Sequence, residues 1–293
     1  MESGSRISFG LVIRPQHHPW ERMAAEWPAA EEMGFESIWT NDHFYGILGP
    51  ADGVSFEANT TLAAIALSTK KVRFGAMTYA ITHRHPAVLY KQLVTLDHMS
   101  GGRVICGIGA GWDEPEHNMV SALFPTAGER VSRLEEALRL FRRLESEERT
   151  TFEGNYYPTV DTPFHPKPVN GRIPFLIGGT KPRMLGIVGR YADIWDSSMK
   201  PDEWTAAFDV VKEHAKAAGR DPNEIIGSTG VWGPNSAWNP DANDADFAAN
   251  VRAAYKAGAR QLLVKYSWDR AAVDKIPDLM SRVVPELRAE LER

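Results

Sequence analysis

The sequence is poor in cysteine, and its single thiol is Cys106. One cysteine cannot form a disulfide within the chain, which excludes the cross-linked architecture of many small secreted domains. No stretch reaches the about 18 consecutive apolar residues of a transmembrane helix, and the amino terminus lacks the apolar segment of a signal peptide. These features predict a cytoplasmic protein in which Cys106 is a buried, inert thiol.

The chain also lacks an excess of positive charge. It carries 33 Lys and Arg against 38 Asp and Glu, so its net charge is -5. Such a surface does not attract nucleic acid or an anionic membrane, and we expect neither as a partner but a small-molecule substrate. No nucleophile elbow or Walker loop is present, which leaves hydrolase and kinase chemistry little support. The histidines at 17–18 and 83–85 lack zinc-site spacing, so no metal site is predicted.

The sequence does contain a regular alternation of short apolar runs with longer segments of helical periodicity. Eight runs predict strands at 7–13, 37–44, 72–80, 103–111, 174–180, 193–198, 225–232 and 261–268. With eight helices, this order indicates an α/β fold, a closed (β/α)8 TIM barrel that forms one domain over residues 1–293. The alternative is an open doubly wound sheet. Insertions follow the fourth strand (112–128) and precede the fifth (145–174).

The second predicted strand, SIWTNDHF, ends in polar residues. Because the carboxyl ends of barrel strands meet in one pocket, Asn41, Asp42 and His43 are expected at the pocket mouth and not buried without partners. An imidazole with an ordinary pKa of about 6.5 exchanges protons near neutral pH, and a neighbouring carboxylate orients it. We therefore predict that His43 and Asp42 are catalytic. The alternative is a polar cap on the following loop.

The fifth predicted strand ends in LIGGTKPRML, which has the composition of an anion site. Gly178 and Gly179 permit close approach of a ligand to the backbone, and the next helix presents free N–H groups. Thr180, Lys181 and Arg183 add a hydroxyl group and two positive charges. These residues predict a phosphate-binding site, although a plain glycine turn between strand and helix would have a similar sequence.

The run GIGAG at 107–111 lacks the GxGxxG spacing of a dinucleotide-binding loop. Its small residues would let a flat ring system lie against the barrel backbone, with Trp112 as a wall. A closely packed structural strand is the alternative. Aromatic residues near the strand ends are candidates for a dry substrate pocket: Phe44, Tyr45, Tyr79 and Trp112.

Several segments together resemble the luciferase-like superfamily, and in particular its coenzyme F420-dependent oxidoreductases. They are AAEEMGFESIWTNDHF, HPAVLYKQLVTLDHMSGGRVICGIGAGWDEPEH, GERVSRLEEALRLFRRL, TFEGNYY and PFLIGGTKPRMLGIVGRYADIWD. The resemblance covers nearly the whole chain. It implies a (β/α)8 barrel that holds a flavin-like ring at its carboxyl end, commonly as a homodimer.

The resemblance also implies roles for individual residues. His43 would lie at the reacting face of the deazaflavin, with Asp42 beside the cofactor. A non-proline cis peptide between Met77 and Thr78 would bulge against the ring, and GGT at 178–180 would bind the cofactor phosphate. The other implied cofactor contacts are Ala110, Gly111, Trp112, Asp113, His117, Lys181 and Arg183.

Two positions depart from this family pattern. Relatives often read GAGWNE where this chain has GAGWDE, so Asp113 replaces an amide, and an ionised carboxylate cannot donate a hydrogen bond. The sugar-phosphate dehydrogenases of the family place a catalytic glutamate where this chain has Trp112. That difference argues against glucose 6-phosphate as the substrate.

The predicted reaction is hydride transfer between C5 of F420 and a small alcohol, carbonyl compound or activated double bond, with His43 handling the proton. The alternatives are an FMN-dependent luciferase-like monooxygenase and a non-catalytic flavin-binding protein. F420 carries an oligoglutamate tail beyond its phosphate. An open groove near Lys181 and Arg183 would therefore favour F420, and a closed phosphate pocket would favour FMN.

Overall fold

The computed structural model describes residues 6–47, 49–232, 244–265 and 274–292. Its strands are β1 (Ser8–Val12), β2 (Ser37–Thr40), β3 (Arg73–Ala76), β4 (Tyr79–Ala80), β5 (Cys106–Gly109), β6 (Arg149–Phe152), β7 (Thr159–Pro163), β8 (Phe175–Gly178), β9 (Ile194–Asp196), β10 (Ile226–Trp232) and β11 (Gln261–Lys265).

The helices lie between these strands. They are α1 (Trp20–Glu32), α2 (Ala58–Ser68), α3 (Pro86–Ser100), α4 (Glu114–Met119), α5 (Ala127–Ser146), α6 (Pro182–Tyr191), α7 (Pro201–Ala217) and α8 (Asp244–Ala257). A C-terminal helical segment comprises Ile276–Asp278, a π-helical turn Leu279–Val283 and a last helix Val284–Leu291. Within the described ranges, no helix combines the length and the apolar character that crossing a membrane requires.

The parallel strands form a closed barrel. They pair in the order β3-β2-β1-β11-β10-β9-β8-β5-β4. A bridge between Phe74 and Val104 joins β3 to the start of β5 and closes the ring. β3 and β4 together occupy one barrel position, so the predicted eight-position barrel is confirmed. The interruption between them contains a cis peptide bond from Met77 to Thr78, as the family resemblance predicts.

Five predicted strands are longer than the observed ones at their carboxyl ends, whereas those predicted to end at residues 80 and 232 do end there. The second strand ends at Thr40, and residues 41–44 leave the sheet. The prediction extended this strand through the polar residues Asn41, Asp42 and His43, which follow the last ladder pair. The last strand ends at Lys265, and the predicted extension over 266–268 lies outside the described residues.

An apolar layer crosses the inside of the barrel. Its members are Val12, Trp39, Ile105, Leu176, Ile194 and Leu263. The indole N–H of Trp39 donates to Ser37 Oγ at 2.9 Å, so the largest side chain of the layer has its polar atom satisfied. Outward-facing side chains of the same strands pack beneath the helices in the main core. The interior is therefore a packed core and not a channel.

The two insertions differ in structure. Residues 112–128 contain α4 and lie beyond the carboxyl end of β5. Residues 145–174 contain the antiparallel pair β6–β7, whose connecting loop packs against α5. There the Glu136 carboxylate accepts the backbone N–H groups of Asn155, Tyr156 and Tyr157 at 2.7–2.8 Å. The second insertion thus runs along the outside of the helix layer.

Gly107 lies where the backbones of two barrel strands approach each other closely. A Cβ at this position would lie 1.9 Å from the carbonyl oxygen of Ala76, which is a backbone atom and cannot move alone.

We expect Gly107→Ala to lower the free energy of unfolding by about 1–3 kcal/mol. In α5, a Cβ on Gly128 would meet nothing within 4 Å. Gly128→Ala is therefore the matched control, and should be neutral or stabilising by up to about 1 kcal/mol. Urea denaturation measures both, and equal stabilities would contradict the close approach.

Candidate active site

The carboxyl ends of β2, β4 and β5 surround a small polar cavity of about 130 Å³. Its lining residues are Asp42, His43, Met77, Thr78, Ala80, His83, Gly111, Trp112, Asp113, Glu116 and His117. The structure thus brings together most of the residues predicted from the second, third and fourth strand ends. Sequence reasoning does not identify Ala80, His83 or Glu116.

Glu116 holds His43 in one orientation. Nδ1 of His43 lies 2.8 Å from one carboxylate oxygen of Glu116, and the other oxygen accepts the backbone N–H of Phe44 at 2.5 Å. The Glu116 side chain is 1% exposed, so water does not compete for these bonds. Because an ionised carboxylate only accepts hydrogen bonds, this geometry assigns the proton of the neutral imidazole to Nδ1. Nε2 is then the nitrogen available to a ligand.

The sequence around Glu116 suggests a different hydrogen-bond partner from the one that the structure shows. Asp113 and Glu116 have the spacing of a capping box, in which the second residue folds back on the helix start. In the structure Asp113 does cap α4. The Glu116 carboxylate instead reaches the loop after β2, and the 73 residues that separate it from His43 hide this partnership from local sequence patterns.

Asp42 is anchored by a bidentate ion pair. Nη1 and Nη2 of Arg84 lie 3.0 and 2.7 Å from the two oxygens of Asp42. Buried His83 lies between carboxylates, with Nδ1 3.5 Å from Asp42 and Nε2 3.4 Å from Glu116. Burial acts to raise the pKa of Asp42, but the contacts with His83 and Arg84 outweigh it and hold that pKa below its ordinary value. Asp42 is therefore an anion at neutral pH.

Asp113 closes the other side of the cavity. It accepts the backbone N–H of Glu116 at 3.4 Å and the hydroxyl of Tyr45 at 2.7 Å. Both partners are donors, so the Asp113 carboxylate acts only as an acceptor here. The pKa of Tyr45 is raised to about 12, chiefly by the hydrogen bond to Asp113 and to a smaller extent by burial.

His117 is occupied by protein partners. Its Nδ1 lies 2.5 Å from the carbonyl oxygen of Asp113, and its Nε2 lies 2.6 Å from the hydroxyl of Thr82. A carbonyl only accepts, so Nδ1 donates and Nε2 accepts from Thr82. Burial lowers the pKa of His117, which favours this neutral form. The ring can contact a cofactor through its face but has no free nitrogen.

Three side chains of the cavity have the composition of a metal site. Potential ligand atoms of His43, Asp113 and Glu116 lie within 4.8 Å of one another. Each of them already has a hydrogen-bond partner from the protein, including Tyr45 for Asp113 and Phe44 for Glu116. We interpret the group as a hydrogen-bond network.

The predicted phosphate site lies at the end of β8, the neighbour of β5 in the barrel. Gly179 has a φ of 121°, a conformation that favours glycine. α6 begins at Pro182, and no side chain caps its amino end. The backbone N–H groups of the first turn therefore keep their capacity to bind an anion. Thr180 and Lys181 are exposed beside them.

Two of the predicted cofactor contacts, Arg183 and Ala110, make contacts with other parts of the protein. The Arg183 guanidinium donates to the carbonyl of Gly128 and the hydroxyl of Ser132, both in α5, at 2.9 and 2.8 Å. Ala110 packs against the main core. Arg183 therefore bridges two helices, in addition to any contact with a ligand.

The prediction that Tyr79 lines the substrate pocket is wrong. Tyr79 is fully buried, and its hydroxyl donates to Asn59 in α2 at 2.6 Å. A continuous strand over 72–80 would place Tyr79 on the same inward face as Met77. Because the strand is interrupted between β3 and β4, the alternation shifts by one residue. Ala80 lines the cavity instead, and Tyr79 faces the helix layer. Trp112 remains at the cavity and is 67% exposed.

A second, larger cavity of about 600 Å³ opens at the opposite, amino end of the barrel. Ser8, Ser37, Arg73 and Gln261 are among its lining residues. None of the predicted site residues reaches it. The candidate site therefore lies at the carboxyl end, where barrel enzymes assemble their active sites.

Comparison with protein families decides the classification. The model of a family described as luciferase-like monooxygenase matches residues 2–279 of the 293. The chain belongs to this luciferase-like family. The match includes the segments that hold His43, the interrupted third strand, α4 and the glycine-rich end of β8, so the family relation covers both ends of the candidate site.

Individual relatives agree with this assignment. The chain is 31% identical over 225 residues to the F420-dependent hydroxymycolic acid dehydrogenase of Mycobacterium tuberculosis, a match of 74% of this chain and 59% of that protein. It is 32% identical over 228 residues to the F420-dependent glucose-6-phosphate dehydrogenase of Kineococcus radiotolerans, with 71% and 67% covered. The chain thus spans 59% of the length of the first relative and 67% of the length of the second.

Solved structures share the fold. An F420-dependent secondary alcohol dehydrogenase, determined in complex with an F420-acetone adduct, matches with a TM-score of 0.83 at 20% identity. The match covers 96% of this chain and 99% of that one. At this identity the likeness establishes the luciferase-like barrel and does not extend to the substrate.

The hydrogen bond from Tyr45 to Asp113 predicts a delayed ionisation. Subtracting the ultraviolet titration of Tyr45→Phe from that of the wild type should isolate a phenol with a pKa of about 12, which Asp113→Asn returns towards the usual value of about 10. The folded state holds this proton more tightly than the unfolded state. Its stabilising effect is therefore present below about pH 10 and is lost as the pH rises towards 12. A pKa of Tyr45 near 10 in both the wild type and Asp113→Asn would contradict the hydrogen bond between Tyr45 and Asp113.

Proposed function

We propose that this protein is an F420-dependent oxidoreductase that acts on a small alcohol, carbonyl compound or activated double bond. The observation that carries the proposal is the pair of His43 and buried Glu116, which lines one cavity with Met77 and Thr78. F420 supplies hydride chemistry at C5 when it is bound. The F420-dependent relatives and the shared barrel support the assignment.

The residues present are suited to a flavin-like cofactor with an extended tail. Gly111 and Trp112 offer backbone and a large aromatic surface at the cavity, beside Met77 and Thr78. The uncapped start of α6 offers N–H groups to a phosphate. Residues 180–183 are exposed, so the space beyond a bound phosphate is open. This openness favours F420 over FMN, since a closed pocket would suit a terminal phosphate.

His43 is proposed to exchange the proton that accompanies reduction or oxidation of the substrate. Glu116 fixes Nδ1 and so leaves Nε2 towards a substrate hydroxyl or carbonyl oxygen. When Nε2 takes a proton, the carboxylate of Glu116 stabilises the imidazolium that forms. Asp42, held ionised by Arg84, is proposed to contact the cofactor and to keep the loop after β2 in place.

Several further expectations accompany this proposal. We propose that residues 1–293 act as one domain, that the protein is a cytoplasmic homodimer, and that its partner is a small molecule and not nucleic acid. The net charge of -5 supports the last point. The family resemblance supports the dimer, and the single continuous barrel supports one domain.

Cofactor preference is the first test. Calorimetric titration of the purified protein should show micromolar or tighter binding of F420 and binding of FMN that is weaker by at least about tenfold, or about 1.4 kcal/mol. The open end of α6 is the reason, because it accommodates a chain beyond the phosphate. The opposite preference would assign the protein to the oxygen-activating branch of the family and remove the proposed role of His43.

Substitutions at the pair provide the second test. His43→Ala should lower kcat about 10²–10⁴-fold, as expected when a general acid or base is lost, and leave F420 affinity nearly unchanged. Glu116→Gln should also lower kcat, because the amide retains an acceptor for Phe44 but loses the charge beside His43. Glu114→Gln changes an exposed carboxylate in the same helix and is the matched control. Wild-type kcat in the His43 variant would rule out its role.

A further inference from the structure

The cavity at the amino end of the barrel, which we refer to as the amino-end cavity, has the size of a ligand site. Its volume of about 600 Å³ lies within the range of small-molecule pockets. Four neighbouring strands contribute polar side chains to its lining: Ser8 in β1, Ser37 in β2, Arg73 in β3 and Gln261 in β11. The proposed function uses none of these residues.

Strand register places the polar lining inside the barrel. Ser37 and Gln261 each precede by two residues a member of the apolar layer, Trp39 and Leu263 respectively. Ser37 is in turn paired with Arg73. All of these residues lie within the strands, where alternate residues share one face and paired residues point to the same side. The polar side chains therefore lie directly below the apolar layer.

Arg73 brings an unpaired positive charge to this lining. In the described parts of the chain, its guanidinium takes part in no hydrogen bond or ion pair. Burial lowers the pKa of Arg73, and the carboxylates of Asp193 and Asp97 oppose this effect. Each of these carboxylates already accepts a backbone N–H at 2.8 Å, from Phe175 and Val169 respectively. A partly buried cation without an anion beside it suits an anionic ligand.

Ser37 and Gln261 offer hydrogen-bonding groups of opposite kinds. Ser37 Oγ accepts from the indole of Trp39 at 2.9 Å and from Nε2 of Gln261 at 3.3 Å, so its own hydroxyl proton is left for a further acceptor. Gln261 is 5% exposed, and its amide oxygen has no donor. A buried oxygen in this state is unfavourable unless a donor reaches it. The lining can therefore bind both an anionic oxygen and a hydroxyl group.

The rest of the lining is apolar on one side and otherwise mainly cationic. The apolar residues include Ile105, Ile226 and Phe208. Of the further cations, Arg6 lies 3.8 Å from Glu36 and Lys212 lies 3.4 Å from Asp209, whereas Arg260 has no ion pair among the described residues. Glu36 is the one carboxylate in the described lining. A ligand with an anionic end and an apolar end matches this division.

We propose that the amino-end cavity is a second ligand site, which binds a small 2-hydroxy carboxylate with an apolar side chain. Arg73 and the Ser37 hydroxyl bind the carboxylate, and Gln261 Oε1 accepts from the ligand hydroxyl. Because Ser37 and Gln261 are within hydrogen-bond distance of each other, the two ligand groups must be close neighbours. Ile105 and Ile226 contact the apolar side chain. The inference goes beyond the proposed function and does not depend on it.

Calorimetric titration with three compounds of similar shape tests this inference. The full-length protein is titrated with 3-phenyllactate, with 3-phenylpropanoate, which lacks the hydroxyl, and with 3-phenyl-1,2-propanediol, which lacks the charge. We expect 3-phenyllactate to bind at least about tenfold more tightly than the diol and about threefold more tightly than 3-phenylpropanoate, since hydrogen bonds to a charged group contribute more than neutral ones. Equal affinities for the three compounds would overturn the proposal.

Two substitutions separate the roles of the polar residues. Arg73→Gln should abolish the preference for 3-phenyllactate over the diol and leave thermal stability equal or higher, because no bond to a described residue is lost. Gln261→Met should abolish only the preference for the hydroxyl. Arg149→Gln changes an exposed arginine of β6, outside the barrel, and is the matched control. Lower stability with unchanged preference in Arg73→Gln would assign Arg73 to the fold and overturn its role.

Two further titrations test the location of the bound ligand. Saturating F420 should change the affinity for 3-phenyllactate by less than about twofold, since the apolar layer separates the two ends of the barrel. Competition with F420 would assign the ligand to the His43 cavity. Residues 1–5 precede Arg6 and lie outside the described residues, and Glu2 is their one acidic side chain. Glu2→Gln should leave the affinity unchanged, and tighter binding would show that Glu2 already balances the charge of the cavity. Either contrary result would overturn the proposal.

The class of ligand has its own controls. Tighter binding of phenylalanine than of 3-phenyllactate would replace the hydroxyl by an ammonium group, and tighter binding of inorganic phosphate would replace the carboxylate, so either result would overturn the assigned class. F420 binding without any binding of 3-phenyllactate would overturn this inference and retain the proposed function. Binding of 3-phenyllactate without binding of F420 would do the reverse.

Discussion

The candidate site depends on one buried carboxylate, that of Glu116. It connects α4, in the insertion after β5, to the loop that leaves β2, through His43 and the backbone N–H of Phe44. Because buried oxygens need donors, this one side chain determines both the imidazole tautomer and the path of the loop. The insertion is therefore a part of the site and not a spacer between a strand and a helix.

Behind His43, carboxylates alternate with nitrogen-containing side chains. From Arg84 the order is a guanidinium, the carboxylate of Asp42, the imidazole of His83, the carboxylate of Glu116 and the imidazole of His43. Each carboxylate lies between two nitrogen groups, so no negative charge is left without a neighbour that can balance it. The site is thus organised before any ligand arrives.

The barrel could be predicted from sequence because its signals are local and repeated. SIWTNDHF shows an apolar run followed by polar residues, and that order alone places His43 at a strand end. Contacts between distant segments have no such signal, and Glu116 and His83 become recognisable only when the strands are brought together. Tyr79 illustrates a different limit, since one interruption between β3 and β4 reverses which residues face inwards. Alternation is reliable within an uninterrupted strand only.

The apolar layer around Trp39 separates two chemically different spaces within the same barrel. Above it lies the His43 cavity, and below it lies the cavity of about 600 Å³ with Arg73 and Gln261. The layer consists of buried apolar side chains, so it separates the polar groups at one end of the barrel from those at the other. The amino end is consequently a suitable location for an engineered spectroscopic label, which could report on the barrel while the reacting end keeps its natural residues.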